Sequence, residues 1–168
     1  IAVGLKKGSD LRERMNSILA EITDDQKKQL MEQIVAISSG KTVDQFAISS
    51  ETPAEPVGTL KIGMECAYAP YNWTDVEGNS LGCVPISGEG KENLWANGYD
   101  VQIAKYLADR LGLKLEIYAI EWNSLLPALE SGAIDAIAAG MSPTAERAEQ
   151  IDFTDTYYES NLVVIIRK

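Results

Sequence analysis

The stretch Gly140-Met141-Ser142-Pro143-Thr144-Ala145-Glu146-Arg147 decides how this chain reads. It follows an apolar run over residues 133–139, which predicts a buried strand. Gly140 permits a tight turn at the strand's end. Ser142 suits an N-cap and Pro143 a first helical residue, so a helix is expected over 143–150. A helix start presents free N–H groups that attract an anion. Ser142 and Thr144 add hydroxyls, and Arg147, one turn on, offers a two-pronged grip for a carboxylate. Together they predict a seat for a small carboxylate. The plainer alternative is a surface helix start, with Arg147 paired to Glu146, Glu149 or Asp152 and stabilising little.

Three further blocks accompany this one. They are Gly63-Met64-Glu65-Cys66-Ala67-Tyr68-Ala69-Pro70-Tyr71-Asn72-Trp73, then residues 98–104 (Gly98-Tyr99-Asp100 onward), then residues 122–135 from Trp122 to Asp135. With Gly140 to Arg147 and the following Ile151-Asp152-Phe153, the four blocks in this order resemble the amino-acid-binding proteins of ABC importers. These are family 3 extracellular solute-binding proteins, two-lobed periplasmic or lipid-anchored receptors of the type II periplasmic-binding-protein fold. The resemblance covers residues 59–168.

Composition narrows the functional classes independently. The chain has 168 residues, enough for one domain with a real core, and its 45% apolar and 24% charged residues are ordinary globular values. Acidic residues outnumber basic ones 25 to 15, a net charge of −10, which argues against nucleic acid or an anionic membrane surface as partner. Histidine is absent, which excludes Ser-His-Asp and Cys-His mechanisms within the chain and removes the commonest metal ligand. No cofactor and no metal are expected. No window reaches the roughly 20 apolar residues of a membrane span. With no signal peptide and no initiating methionine, the chain reads as processed, trimmed or engineered. Cys66 and Cys83 are too few for a zinc site; a disulfide and two free thiols both remain open.

Apolar spacing predicts an amphipathic helix over about 10–21, with Asp10 and Glu13 as a capping-box-like start. Thr23 with Gln26 makes a second such start, before a helix lined by Leu30, Met31, Ile34 and Val35. Residues 1–7 read as a short strand. Residues 38–58 lose periodicity and read as a linker, pinned by Phe46 and Ile48. A strand follows over 59–65, then a long loop over 66–98 with a hairpin signal at Cys83 to Ile86. A helix over 99–111, a strand over 113–119, a helix over about 124–131 and a final strand over 162–166 complete the pattern. The alternation predicts an α/β fold: a single periplasmic-binding-protein-like lobe, with a mainly parallel sheet and helices on both faces.

The order of the parts is unusual. Residues 1–37 resemble the family's C-terminal strand and closing helices, yet they precede residues 59–168, which resemble its N-terminal part. The expectation is one domain, a circularly permuted lobe 1 of engineered origin, with 38–58 joining the old termini and the second lobe missing. The alternative is a fragment spanning two tandem receptor domains.

The resemblance assigns roles to particular residues. Arg147 would bind the ligand's α-carboxylate, with Ser142 and Thr144 as hydrogen-bond partners and Gly140 and Met141 in the same turn. Tyr71 and Trp73 would form an aromatic wall, joined by Tyr68, and Glu65 would pair with a basic ligand side chain. Tyr68 and Trp73 serve equally well as anchors of the loop, Asp100 reads first as a helix cap, and Trp122 as packing behind the site. The implied function is recognition of a polar or cationic amino acid, weakened by the absence of lobe 2 and without enzymatic activity. In the parent protein the partners would be the ABC-transporter membrane subunits and the setting extracytoplasmic. Self-association is expected where the missing lobe leaves surface exposed. Two alternatives share the scaffold: a sensor module of a membrane receptor, and a dehydratase-like enzyme.

Overall fold

Strand β2 (Thr59–Met64) lies inside the sheet because its alternate residues Leu60, Ile62 and Met64 are fully buried. The opposite face carries Gly63, where a Cβ would meet Ile134 at 2.5 Å and Leu125 at 3.1 Å. Only a residue without a side chain lets the helix bearing Leu125 come this close. The structure is a computed structural model that describes residues 1–161 and 164–167.

The other strands are β1 (Gly4–Leu5), β3 (Ala67–Tyr68), β4 (Asn72–Asp75), β5 (Val84–Ser87), β6 (Trp95–Asn97), β7 (Lys114–Ala119), β8 (Ala136–Ile137) and β9 (Asp152–Phe153). The helices are α1 (Leu11–Leu19), α2 (Asp24–Ser38), α3 (Tyr99–Leu111), α4 (Trp122–Ser131) and α5 (Ala145–Gln150). The sheet order is β3-β4-β6-β5-β7-β2-β8-β1-β9. Its centre, β5-β7-β2-β8, is parallel. Both flanks are antiparallel, so the sheet is mixed and the expected parallel arrangement describes its central strands.

From β2 the chain reaches β7 on one side, then crosses back past β2 to β8 on the other. With the usual right hand, connections running in opposite directions from β2 put α3 and α4 on opposite faces of the sheet. Helices α1 and α2 pack against α3. One buried cluster unites Val3, Leu5, Met15 and Leu30 with Leu60, Ile103, Ile117 and Ile137, so residues 1–37 and 59–157 share a core.

Several boundaries differ from the sequence reading. Asp10 makes no side-chain cap to α1, and the Ser9 hydroxyl accepts the Leu11 N–H instead. Thr23 and Gln26 do form the reciprocal capping box of α2. Val35 is 45% exposed, outside the buried Leu30–Ile34 stripe. Residues 66–98 hold four short strands where a loop with one hairpin was expected. Antiparallel pairing satisfies their backbone groups, which a buried loop cannot do. The expected strand over 162–166 is not formed at Val164, Ile165 and Ile166, which are exposed, while Leu162 and Val163 lie outside the described residues. Among the described residues no helix is long and apolar enough to cross a membrane.

The segment 39–58 has no regular secondary structure but is tied down. Ile48 is buried, Gln33 brackets the Gln45 carbonyl and the Ala47 N–H, and the Glu51 N–H meets Asp109. Cys66 and Cys83 are both free thiols. Cys66 is buried where its N–H meets the Asn72 side chain, while Cys83 lines a separate cavity with Pro85 and Lys105.

Candidate ligand-binding site

The ladder of β8 with β2 ends at the backbone bond from Ala138 N–H to the Gly63 carbonyl. The chain then turns at Gly140 with φ +62°, the left-handed region that favours glycine. Tyr68 and Tyr71 close over this turn. A Cβ on Gly140 would lie 2.9 Å from Tyr68 Cε1 and 3.3 Å from Tyr71 Cγ. The first and the 140–147 blocks of the sequence therefore meet here, with the two tyrosine rings 5.1 Å apart.

Beyond Gly140, residues 141–144 form no regular secondary structure, the Thr144 N–H closes a tight turn onto the Ser142 carbonyl at 3.0 Å, and α5 begins only at Ala145. The N-cap is Thr144, not Ser142: its hydroxyl accepts the Arg147 N–H at 3.3 Å. A cap needs a β-region backbone and a hydroxyl near the N3 amide, and Thr144 has both. Ser142 and Thr144 are consequently exposed on an open shelf.

Arg147 folds back along this shelf. Its Nη1 donates to the Ser142 carbonyl at 3.0 Å, and its guanidinium carbon sits 5.2 Å over the Trp122 ring. Among the described residues it forms no ion pair; of its expected partners, Asp152 is taken by Lys7 at 3.2 Å and by the Gly8 N–H. The expected surface pairing is thus absent, and most guanidinium donors are left for a ligand.

Not every sequence-predicted residue joins this arrangement. The Met141 side chain is fully buried and its carbonyl accepts the Ala2 N–H, so it serves the core. Trp73 sits in β4 opposite Ala67 and Asn97 and packs on the core. Glu65 lies half-buried just past β2. Neither takes part in the aromatic pairs or hydrogen bonds that join turn and loop among the described residues.

Asp100 is not a helix cap. It is fully buried inside the first turn of α3, and Gly98 occupies the N-cap position. Asn72 Nδ2 and the Tyr157 hydroxyl donate to its carboxylate at 2.8 and 2.5 Å. Burial pushes its carboxyl up to about 6, although Tyr157, Asn72 and the Gly140 N–H favour the ion. Tyr158 adds an edge-on contact to Tyr71, with centroids 6.2 Å apart. Sequence reasoning missed Tyr157 and Tyr158; their only signal was a tyrosine pair within the otherwise polar stretch 154–161.

Residues 60–168 match the profile of the bacterial extracellular solute-binding proteins, family 3. The chain belongs to this family. Among its relatives is the arginine-binding extracellular protein ArtP of Bacillus subtilis, 42% identical over 71 residues, covering 42% of this chain and 28% of ArtP. The L-cystine-binding protein TcyA of the same organism is 31% identical over 111 residues, covering 66% of this chain and 35% of TcyA. This family 3 protein thus spans about a third of the length of such relatives. Among solved structures, an ancestral arginine-binding protein bound to glutamine is 36% identical, with 61% of this chain and 38% of that chain covered and a TM-score of 0.49.

Proposed function

We propose that this family 3 protein is a receptor lobe that takes the α-carboxylate of a polar or cationic amino acid at Arg147, Ser142 and Thr144. The observation that carries this reading is the guanidinium of Arg147, seated on Trp122 beside two exposed hydroxyls without a carboxylate of its own among the described residues. Tyr68 and Tyr71 flank the turn and supply ring faces for a ligand side chain, cationic ones included. Relatives named for arginine and cystine binding support an amino acid as the ligand class.

Ser142 and Thr144 are exposed, which fits a site completed by a second lobe. Alone it binds weakly, with Kd near millimolar, equivalent to about −4 kcal/mol. The parent protein works outside the cytoplasm, delivers its amino acid to ABC-transporter membrane subunits, and binds rather than transforms it. Strand β1 enters the sheet between β8 and β9, and residues 1–37 share the core of the rest. Both facts support a circularly permuted single domain, with 38–58 as its joining segment, over a tandem fragment. A monomeric mass with one cooperative melt is expected; a swapped dimer or two transitions would favour the fragment.

The test is a thermal melt of the chain and of Arg147→Ala against the common amino acids at millimolar concentration. One chemical class should raise the midpoint of the parent chain and leave the variant unmoved, since a native-state ligand stabilises by mass action. Equal shifts in both chains would remove Arg147 from the site.

A further inference from the structure

We propose that Asp100 is the positioning residue of the ligand shelf, its buried carboxylate tying the Tyr68–Tyr71 loop to Tyr157 and to the Gly140 turn. The proposal rests on reading that shelf as the amino-acid site.

Asp100 is 0% exposed and can only accept when ionised. Three segments present donors to it: Asn72 Nδ2 from β4 at 2.8 Å, the Tyr157 hydroxyl at 2.5 Å, and the Gly140 N–H, which faces the same carboxylate. Its own N–H donates to the Tyr71 carbonyl at 2.8 Å, and Tyr99 N–H donates to the Pro70 carbonyl at 3.0 Å. Tyr71 is thereby held on both sides by one turn of α3. Asn72 passes the link on, accepting the Cys66 N–H at 2.8 Å through Oδ1. Tyr157 passes it the other way, through its N–H to the Ile1 carbonyl, and Ala2 N–H then reaches the Met141 carbonyl beside Gly140. The walls of the shelf therefore share one buried anion. Core filling alone favours an apolar residue there, because a buried charge is costly to desolvate.

The arrangement makes the shelf's shape depend on the Asp100 proton. The groups facing it are Tyr157, Tyr99 on α3, Tyr71 on the loop, Cys66 after β2 and the Ile1 ammonium. Burial raises the phenols and the thiol, so they stay neutral between pH 5 and 8; burial lowers the ammonium below its usual range. Protonated Asp100 loses acceptor capacity toward three converging donors, and Asp100→Asn places a donor where an acceptor is needed.

The deciding experiment follows the backbone amides of Gly140 and Tyr71 by nuclear magnetic resonance from pH 5 to 8 in the unliganded chain, with L-arginine titrated into the same samples. Both amides should move with one shared midpoint near 6, and Asp100→Asn should abolish that titration while amides of β2 and β7 keep their positions. L-Arginine affinity should fall about tenfold from pH 7.5 to 5, the equivalent of one hydrogen bond to a charged group. Amides that ignore both pH and substitution overturn the proposal. Amides that titrate in a chain that takes no L-arginine at either pH sustain Asp100 as the tie and overturn the ligand reading of the shelf. If Asp100→Asn does not fold, the pH series of the parent chain decides, with Tyr157→Phe removing a single donor.

Discussion

Arg147 holds its guanidinium 5.2 Å over the ring of Trp122, while its Nη1 donates to the carbonyl of Ser142 at 3.0 Å. The ring and the carbonyl fix the plane of the guanidinium before any ligand arrives. A preorganised side chain loses less rotamer entropy on binding than a free one. Trp122→Leu should therefore weaken amino-acid binding without abolishing it, by about 0.5–1 kcal/mol, or two- to fivefold in Kd. Isothermal titration of the variant checks this, and an unchanged Kd would show that the stacking adds nothing.

Gly140 can be tested as a contact rather than as a ligand group. Alanine there must accept φ +62° and a Cβ 2.9 Å from Tyr68 Cε1 and 3.3 Å from Tyr71 Cγ. The backbone term costs about 1–2 kcal/mol. Tyr68 is 46% exposed and can swing aside, whereas Tyr71 is held by the α3 start. Urea unfolding of Gly140→Ala should show a loss somewhat above the backbone term. In a Tyr68→Ala background that excess should shrink, and equal losses in both backgrounds would mean the rings do not press on the turn.

The capping box of α2 makes a local prediction. Thr23 accepts the Gln26 N–H at 3.2 Å, and Gln26 Oε1 accepts the Thr23 N–H at 3.0 Å. Thr23→Ala should cost about 1 kcal/mol of stability. Asp10→Ala should cost less, because Asp10 makes no cap bond. Denaturant midpoints of the two variants compare them directly, and an equal or larger loss for Asp10→Ala would contradict the observed caps.

Asp100 sets a pH window for stability as well as for shape. Burial raises its pKa from 3.8 to about 6 in the folded chain. Between those values the folded state keeps the proton and the unfolded state gives it up. Its contribution to unfolding free energy is therefore largest below about pH 4 and falls as pH rises to about 6, by on the order of 2–3 kcal/mol. Asp100→Asn lacks this slope, so the stability of the parent chain relative to the variant should decline over that range. A difference that stays constant from pH 4 to 7 would show that Asp100 does not titrate in that window.

Local signals carried much of the architecture. Helix α3 was legible to both ends because Gly98 and Gly112 bracket an apolar stripe, and Gly112 adopts the left-handed C-cap. The Thr23–Gln26 box was legible because both partners lie within one turn. The short strands β3, β4 and β6 and the strand β9 were not, because each is two to four residues long and exists only through its pairing. In the proposed site, spacing alone left Arg147 open between a surface pair and a carboxylate seat and the family resemblance favoured the seat, whereas the choice of Thr144 over Ser142 as cap depended on where α5 begins.

The sequence by itself determined the family blocks, the helical stripes, the acidic balance and the presence of a carboxylate-suited arginine beside two hydroxyls, because these depend on residue types at short spacing. Only the tertiary structure decided that Tyr68 and Tyr71 lie on Gly140, that Trp122 supports Arg147, and that Asp100 is a buried, hydrogen-bonded carboxyl rather than a cap. Those relations join residues far apart in the chain. They follow from which strands pair and which side chains lose water together, and no local pattern encodes either.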